Sequence, residues 1–191
     1  MNLIEFYKDA ETEVIKKGYT KEITMVECRK FEDQTPRNLF FEFVYVVCNS
    51  GMKNQVAEKI YANYIKNGIS AINHPNKKKA IQQGEIYYEV WFKMLNDRGS
   101  DEERLEYLET LPHIGKITKY HLARNLGIDC AKPDRHLMRL ADQFGYSDVQ
   151  EMCKAVSEAT GDRIGTVDVV LWRYCNLCNN ESNKGGAKKR E

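Results

Sequence analysis

The residue with the clearest chemical potential is a single carboxylate, Asp134. It follows Pro133 directly, at the predicted start of a helix, where the helix dipole favours an ionised carboxylate by roughly 0.3–1 kcal/mol. A carboxylate held there can stabilise a developing positive charge or activate a water molecule. The alternative is a structural role, because Asp is also a common N-cap residue.

Positive charge is concentrated around this carboxylate, in residues 112–140. The window holds six Lys and Arg residues against two acids, a net charge of +4 where the whole chain has +1. His113, His121 and His136 also lie in it. A local basic stripe on a nearly neutral protein is typical of a phosphate-binding face, although charge alone equally allows a solvated helix face.

Helices and a tight turn are predicted to position these residues. A capping box at residues 100–103 begins a helix that ends near Leu111, and Pro112 with Gly115 indicates a turn before a helix over 117–126. Gly115 permits close approach or a positive φ. Backbone N–H groups near Gly115 would therefore be free to bind a phosphate.

The remaining pattern predicts an all-α fold of about ten helices with short loops. Further helical segments are predicted at 3–17, 52–68, 85–99 and 166–177, with a second capping box at 147–150. Residues 38–48 fit a buried helix or a strand, and residues 23–28 are strand-like.

Composition excludes several classes of protein. No apolar run approaches the roughly 20 residues that span a bilayer, and the N-terminal segment lacks an apolar signal core. We therefore expect a monomer without membrane association, cytoplasmic or, in a eukaryotic host, nuclear. The six scattered cysteines predict free thiols rather than a disulfide framework.

Three motifs resemble the helix-hairpin-helix GPD superfamily of DNA glycosylases, in its endonuclease III-like branch. LPHIGKIT (111–118) resembles the family's hairpin, usually LPGVGxxTA, and KPDRHLMR (132–139) resembles its VDTHxxR segment, which contains the catalytic aspartate. The 19 residues from Gly115 to Asp134 also fit. VDVVLW (167–172) resembles the VDxxxW segment, and residues 41–61 resemble the early helix pair that presents a DNA-wedging loop.

The resemblance implies an enzyme that flips a damaged or modified base out of double-stranded DNA and hydrolyses its N-glycosidic bond. It implies two helical subdomains flanking a cleft, with the helix-hairpin-helix followed by a catalytic Asp134. The expected division is an N-terminal helix and connector (1–35) packing with the C-terminal helices, a central subdomain (36–129) with the hairpin at 111–118, a C-terminal subdomain (130–178) and a disordered tail (179–191).

DNA contacts are expected at the hairpin and after Asp134. They comprise His113, Ile114, Gly115, Lys116, Thr118, Lys119, Arg135, His136 and Arg139. The expected wedge and base pocket comprise Asn49, Ser50, Met52, Lys53, Tyr45, Trp91, Asp168 and Trp172. Met52 would intercalate, Lys53 would hold a phosphate and Asn49 would read the base edge, while each aromatic residue also fits simple core packing.

Departures from the family pattern limit which reaction and which cofactor are expected. Bifunctional members carry a nucleophilic Lys immediately before the hairpin Thr, but Ile117 stands there and cannot form a Schiff base. We therefore expect a monofunctional enzyme that leaves an abasic site. Cys175 and Cys178 have no further cysteines after them, so an iron–sulfur cluster is not expected. In addition, His113 replaces a glycine.

No cofactor is required by this interpretation and no metal ligands are predicted, although the family's hairpin carbonyls often hold a monovalent or divalent cation. Two alternatives stay open. One is a bifunctional glycosylase/lyase that uses Lys116 or Lys119. The other is a non-enzymatic helix-hairpin-helix DNA-binding module. The sequence does not name the base.

Overall fold

The computed structural model describes the backbone of residues 1–186 and the side chains of residues 1–178. Within this part the regular structure is helical, as the sequence predicts. The α-helices are α1 (Leu3–Lys16), α2 (Thr20–Glu27), α3 (Pro36–Asn49), α4 (Asn54–Asn67), α5 (Pro75–Asn96), α6 (Asp101–Glu109), α7 (Thr118–Asn125), α8 (Arg135–Gln143), α9 (Val149–Thr160) and α10 (Ile164–Gly186). Short 3-10 helices occupy Phe31–Asp33 and Gly68–Ala71. Among the described residues, none of the helices combines the length and the apolar character that a membrane span requires.

The chain divides into two compact units. Unit 1 combines residues 1–28 with the chain from 129 onward, and unit 2 is Arg29–Ile128. Residues 29–35, expected with the N-terminal helix, therefore belong to unit 2, where the Arg29 guanidinium donates to Glu42 at 3.0 Å. The tail expected over 179–191 falls partly in α10, and residues 187–191 lie outside the described part.

Unit 1 is built around α10, which packs against α1, α2, α8 and α9. Leu137 of α8, Met152 of α9 and Leu171 of α10 are all fully buried in its core. Tyr7 of α1 is also fully buried, and its hydroxyl donates to Asp162 at 2.8 Å. This packing fixes the helix that begins after Asp134.

Unit 2 is built around α3, which packs against α4, α5 and α7, while α6 packs against α5 and α7. Phe43 of α3 is fully buried. A side chain at Gly84 of α5 would meet Phe43 Cε1 at 3.0 Å, so a glycine is what permits the close approach of α3 and α5.

Two local predictions are wrong, each for a physical reason. The strand-like residues 23–28 lie largely in α2, because α2 packs on α10 and tertiary packing overrides a weak β preference. The second capping box is shifted by one residue. Asp148, not Ser147, caps α9 by accepting from the Glu151 N–H at 2.8 Å.

The ambiguous segment 38–48 forms the middle of α3. Pro36 stands in the first turn, and the Thr35 hydroxyl caps the helix by accepting from the Asn38 N–H at 3.2 Å. These start signals favour a helix over a strand, because Pro preorganises a first helical turn.

Candidate functional site

Asp134 is the N-cap of α8. Its Oδ1 accepts hydrogen bonds from the backbone N–H groups of His136 at 2.8 Å and Leu137 at 3.0 Å. The side chain is half-buried, and its Oδ2 forms no hydrogen bond within the described part of the chain. One oxygen therefore fixes the helix start, and the other is left for chemistry.

Three side chains hold the segment that leads to Asp134. Asp129 Oδ1 accepts from the Gly165 N–H at 2.9 Å. The Ala131 N–H donates to Gln150 Oε1 at 2.8 Å, and the Lys132 N–H donates to Asp168 Oδ2 at 2.8 Å. Buried N–H groups need such partners, so α9 and α10 determine where Asp134 stands.

Asp168, expected in a base pocket, is only 1% exposed. Its carboxylate accepts from the Lys132 N–H, two residues before Asp134, and so anchors this segment. Trp172 lies one turn further along α10, half-buried against the core of unit 1, with the Arg173 guanidinium 4.9 Å from its ring centroid.

Cys175 is a neighbour of Asp134 that the sequence interpretation missed. Burial raises the pKa of its thiol to about 11, and the charges of Cys178 and Asp134 add to this effect. The thiol therefore stays neutral near pH 7. The spacing of Asp168, Trp172 and Cys175 by four and then three residues puts them on one face of α10.

A buried side chain and backbone hydrogen bonds hold the hairpin turn between α6 and α7. Ile114 is 6% exposed, and its N–H donates to the Leu111 carbonyl at 3.1 Å. Ile114 therefore anchors the turn and does not offer its side chain to a ligand. The Lys119 N–H closes the first turn of α7 on the Gly115 carbonyl at 3.0 Å.

Within the described residues, backbone N–H groups that have no hydrogen-bond partner directly follow Gly115. The Gly115 N–H is engaged, because it donates to Thr118 Oγ1 at 2.7 Å. In contrast, the backbone N–H groups of Lys116, Ile117 and Thr118 form no hydrogen bond within the described residues. These three donors precede and begin α7, where the helix dipole favours an anion.

Glycine-like geometry occurs at His113 and not at Gly115. His113 has φ of 65°, the one non-glycine residue of the described part with positive φ. Gly115 lacks a positive φ, and a Cβ there would meet nothing within 4 Å. Of the two possibilities that a glycine allows at position 115, the structure therefore shows space for close approach and not a positive φ.

The basic residues and histidines of this window differ in their surroundings. Lys119 is paired with Glu109 of α6 at 2.6 Å, and this hydrogen bond raises the pKa of Lys119. His121 is buried, with its ring centroid 5.8 Å from that of Tyr45. Lys116 is exposed in unit 2, and Arg135 and Arg139 are exposed on α8 in unit 1.

The expected wedge, residues 49–53, comprises the last residue of α3 and the Ser50–Lys53 loop that connects α3 to α4. Met52 within it is 41% exposed. The Asn49 amide donates to Asn54 Oδ1 at 2.9 Å, and the Tyr45 hydroxyl donates to the same oxygen at 3.2 Å. Asn54 thus joins two predicted residues and was not itself predicted.

Trp91, another candidate wall for a base, contributes to the packing of unit 2. Its ring lies edge-on to that of Phe43, with centroids 5.2 Å apart. This contact favours the core-packing alternative for Trp91.

No group of three or more His, Cys, Asp or Glu side chains that could hold a metal ion occurs among the described residues. The hairpin does contain suitable backbone oxygens. Within the described part, the carbonyl groups of His113 and Ile114 accept no hydrogen bond, so they are candidate donors for a hard cation.

The chain shares its all-α fold with solved structures of DNA glycosylases. The chain is similar to the Methanocaldococcus jannaschii 8-oxoguanine glycosylase/lyase in complex with 15mer DNA containing 8-oxoguanine, with a TM-score of 0.70 and 15% identity over 90% of this chain and 96% of that one. It is similar to the Thermotoga maritima 8-oxoguanine DNA glycosylase, with a TM-score of 0.67 and 20% identity over 90% and 96%.

A second structure of the Methanocaldococcus jannaschii enzyme has a TM-score of 0.67 and 15% identity over 89% of this chain and 92% of that one. No protein-family model and no curated protein matches the chain. The all-α fold predicted from the helical pattern of the sequence is confirmed.

Proposed function

We propose that this protein is a DNA glycosylase that excises a damaged or modified base. The observation that carries the proposal is the geometry of Asp134, a carboxylate fixed by two backbone N–H groups with its second oxygen unengaged, on a fold shared with such enzymes. The names of these similar proteins make 8-oxoguanine the first substrate to test.

Asp134 would act on the charge that develops at the sugar. As the N-glycosidic bond breaks, its electrons leave with the base and the deoxyribose acquires oxocarbenium character. A fixed carboxylate stabilises this positive charge, and it can accept a proton from the water that attacks C1′. The base takes up a proton, water supplies the hydroxyl group, and the product is an abasic site.

Phosphate binding would rest mainly on backbone donors. The N–H groups of Lys116, Ile117 and Thr118 point to a sequence-independent grip at the start of α7. The exposed side chains of Lys116, Arg135 and Arg139 add positive charge. A cation, if bound, would be held by the carbonyl groups of His113 and Ile114 and would supply a further charge for a phosphate.

Base excision alone, the monofunctional reaction, has better support than base excision followed by strand cleavage. Ile117 occupies the position of the family's nucleophilic lysine. Lys119 is engaged by Glu109, and its raised pKa keeps it protonated and non-nucleophilic. Of the two lysines considered for a lyase reaction, only the exposed Lys116 is left without such a constraint.

The test is Asp134→Asn. Asn caps a helix as well as Asp does, so the variant should fold and lose only the charge. We expect base release from duplex DNA to fall by roughly 10²–10⁴-fold, with DNA binding unchanged or tighter because a repulsive charge is removed. Single-turnover release of free base and a binding titration measure the two effects.

The matched control is Asp148→Asn, since Asp148 caps α9 in the same way and has no assigned role in catalysis. It should leave base release unchanged. Wild-type excision rates in Asp134→Asn would refute the assignment of Asp134. Absence of base release by the wild-type protein from a panel of modified duplexes, together with tight DNA binding, would favour the non-enzymatic binding module.

A further inference from the structure

Lys77 is a buried lysine that the assigned functional residues leave unexplained. It lies in the first turn of α5 and is 6% exposed. Its Nζ donates to the carbonyl of Cys48 at 2.9 Å and to that of Ser50 at 2.7 Å. Burial lowers the pKa of Lys77, so this charge is held at an energetic cost.

Of the two carbonyl groups that Lys77 binds, that of Cys48 lies in the last turn of α3 and that of Ser50 directly follows the helix. The last carbonyls of a helix have no intrahelical partner, and a cation there interacts favourably with the helix dipole. The bond to Ser50 reaches beyond the helix into the Ser50–Lys53 loop. Lys77 therefore fixes the direction in which the chain leaves α3.

Further hydrogen bonds hold the remainder of the Ser50–Lys53 loop. Gly51 has φ of 70°, and the Met52 N–H donates to the Asn49 carbonyl at 3.0 Å. Asn54, at the start of α4, accepts from the Asn49 amide at 2.9 Å. The loop backbone is thus fixed at both ends, while the Met52 side chain is 41% exposed.

We propose that Lys77 is a positioning residue that holds the Ser50–Lys53 loop ready for insertion of Met52 into the gap left by the flipped base. This inference rests on the proposed glycosylase function. A loop that is ordered before binding loses less entropy when it binds. The benefit should be greatest where a base must leave an intact pair, and least where no pair has to be opened.

The test compares one modified base in two duplexes, one in which it is paired and one in which it forms a single-base bulge. For Lys77→Met we expect excision of the paired base to fall about tenfold relative to excision of the bulged base. Lys77→Arg, which keeps a cation with several N–H donors, should restore most of the ratio. Lys79→Met, an exposed neighbour on α5, should leave it unchanged.

The ratio does not depend on how much protein is folded, because the same folded molecules cleave both substrates. Lys77→Gln gives the same comparison if Lys77→Met yields no folded protein. An equal decline on both substrates, or no decline, would overturn the inference while leaving the proposed function intact. Failure of the wild-type protein to release base from either substrate would overturn both.

Discussion

At the scale of single residues, one side chain serves structure and chemistry together. Asp134 caps α8 through Oδ1, so the structural role weighed from the sequence is present. That role does not compete with catalysis, because a cap consumes one oxygen and a carboxylate has two. The cap fixes the orientation of the second oxygen, which is what electrostatic stabilisation of a transition state requires.

His113 is the residue at which this chain departs most clearly from the hairpin pattern. Its φ of 65° is a left-handed conformation that costs an L-residue about 1–2 kcal/mol. We expect His113→Gly to be at least as stable as the wild type, and His113→Val to be less stable by about 1–2 kcal/mol because β-branched residues tolerate this region worst. Urea unfolding monitored by circular dichroism measures both.

Asn73→Val is a useful comparison, since Asn73 is also exposed outside a helix but is not among the residues with positive φ. It should destabilise the protein less than His113→Val does. A His113→Gly variant clearly less stable than the wild type would mean that the imidazole contributes more than the strained backbone costs.

Residue types that carry chemistry could be predicted from the sequence, but their partners could not. The motifs located Asp134 and the hairpin. Asp168 and Lys119 were assigned to the base pocket and to phosphates, whereas they engage the Lys132 N–H and Glu109. In the sequence, those partners lie 36 and 10 residues away. Spacing rules for a single helix do not predict contacts between residues so far apart in the sequence.

At the scale of elements, helix starts were the most predictable features and weakly patterned segments the least. Ser100 caps α6 through a local bond to the Glu103 N–H, a pattern that sequence reveals directly. The segment 23–28 reads as a strand in isolation but forms part of α2, because its partner, α10, lies more than a hundred residues later. Local preference cannot anticipate such packing.

Lys116 and Lys119 look alike in the sequence, but their surroundings in the structure predict different roles. We expect Lys116→Ala to flatten the dependence of log affinity on log salt by about 0.9, the value of one phosphate contact. Lys119→Ala should instead lower the free energy of unfolding by roughly 0.5–1 kcal/mol, as expected for a largely solvent-screened ion pair. Binding titrations at several salt concentrations and urea unfolding distinguish the two.

Glu109→Gln provides the control, since it removes the charged partner of Lys119. It should reproduce the loss of stability. A salt slope that changes for Lys119→Ala and stays constant for Lys116→Ala would show that the roles of the two lysines have been exchanged.

At the scale of the whole molecule, the two parts of the proposed reaction come from different units. The hairpin lies in unit 2 and Asp134 in unit 1. Each is held by its own unit: Ile114 and the Lys119–Glu109 pair fasten the hairpin, and Gln150 with Asp168 fastens the segment before Asp134. The sequence motifs therefore locate both residue groups of the proposed reaction, the hairpin and Asp134. Analysis of the reaction product tests the two assignments together.

The product is predicted to be an intact abasic site. Lyase chemistry needs an unprotonated amine that can form an imine with the sugar, and Asp134 has none to offer. Reacted duplex should therefore run as full-length strand on a denaturing gel until hot alkali breaks it. Borohydride should trap no covalent adduct. Cleavage without alkali, with an adduct lost in Lys116→Ala, would instead establish the bifunctional reaction.

The reverse experiment is Ile117→Lys. Ile117 is 44% exposed, so a lysine there should cost little stability, as surface substitutions usually do. It places an amine at the hairpin position where bifunctional members of the superfamily that this sequence resembles carry one. We expect weak strand cleavage and a borohydride-trapped adduct, both absent from Ile117→Met, which matches the side chain in length without the amine. If base release persists and Ile117→Lys forms no adduct, the alignment of the hairpin with the lysine-bearing members is wrong by at least one residue.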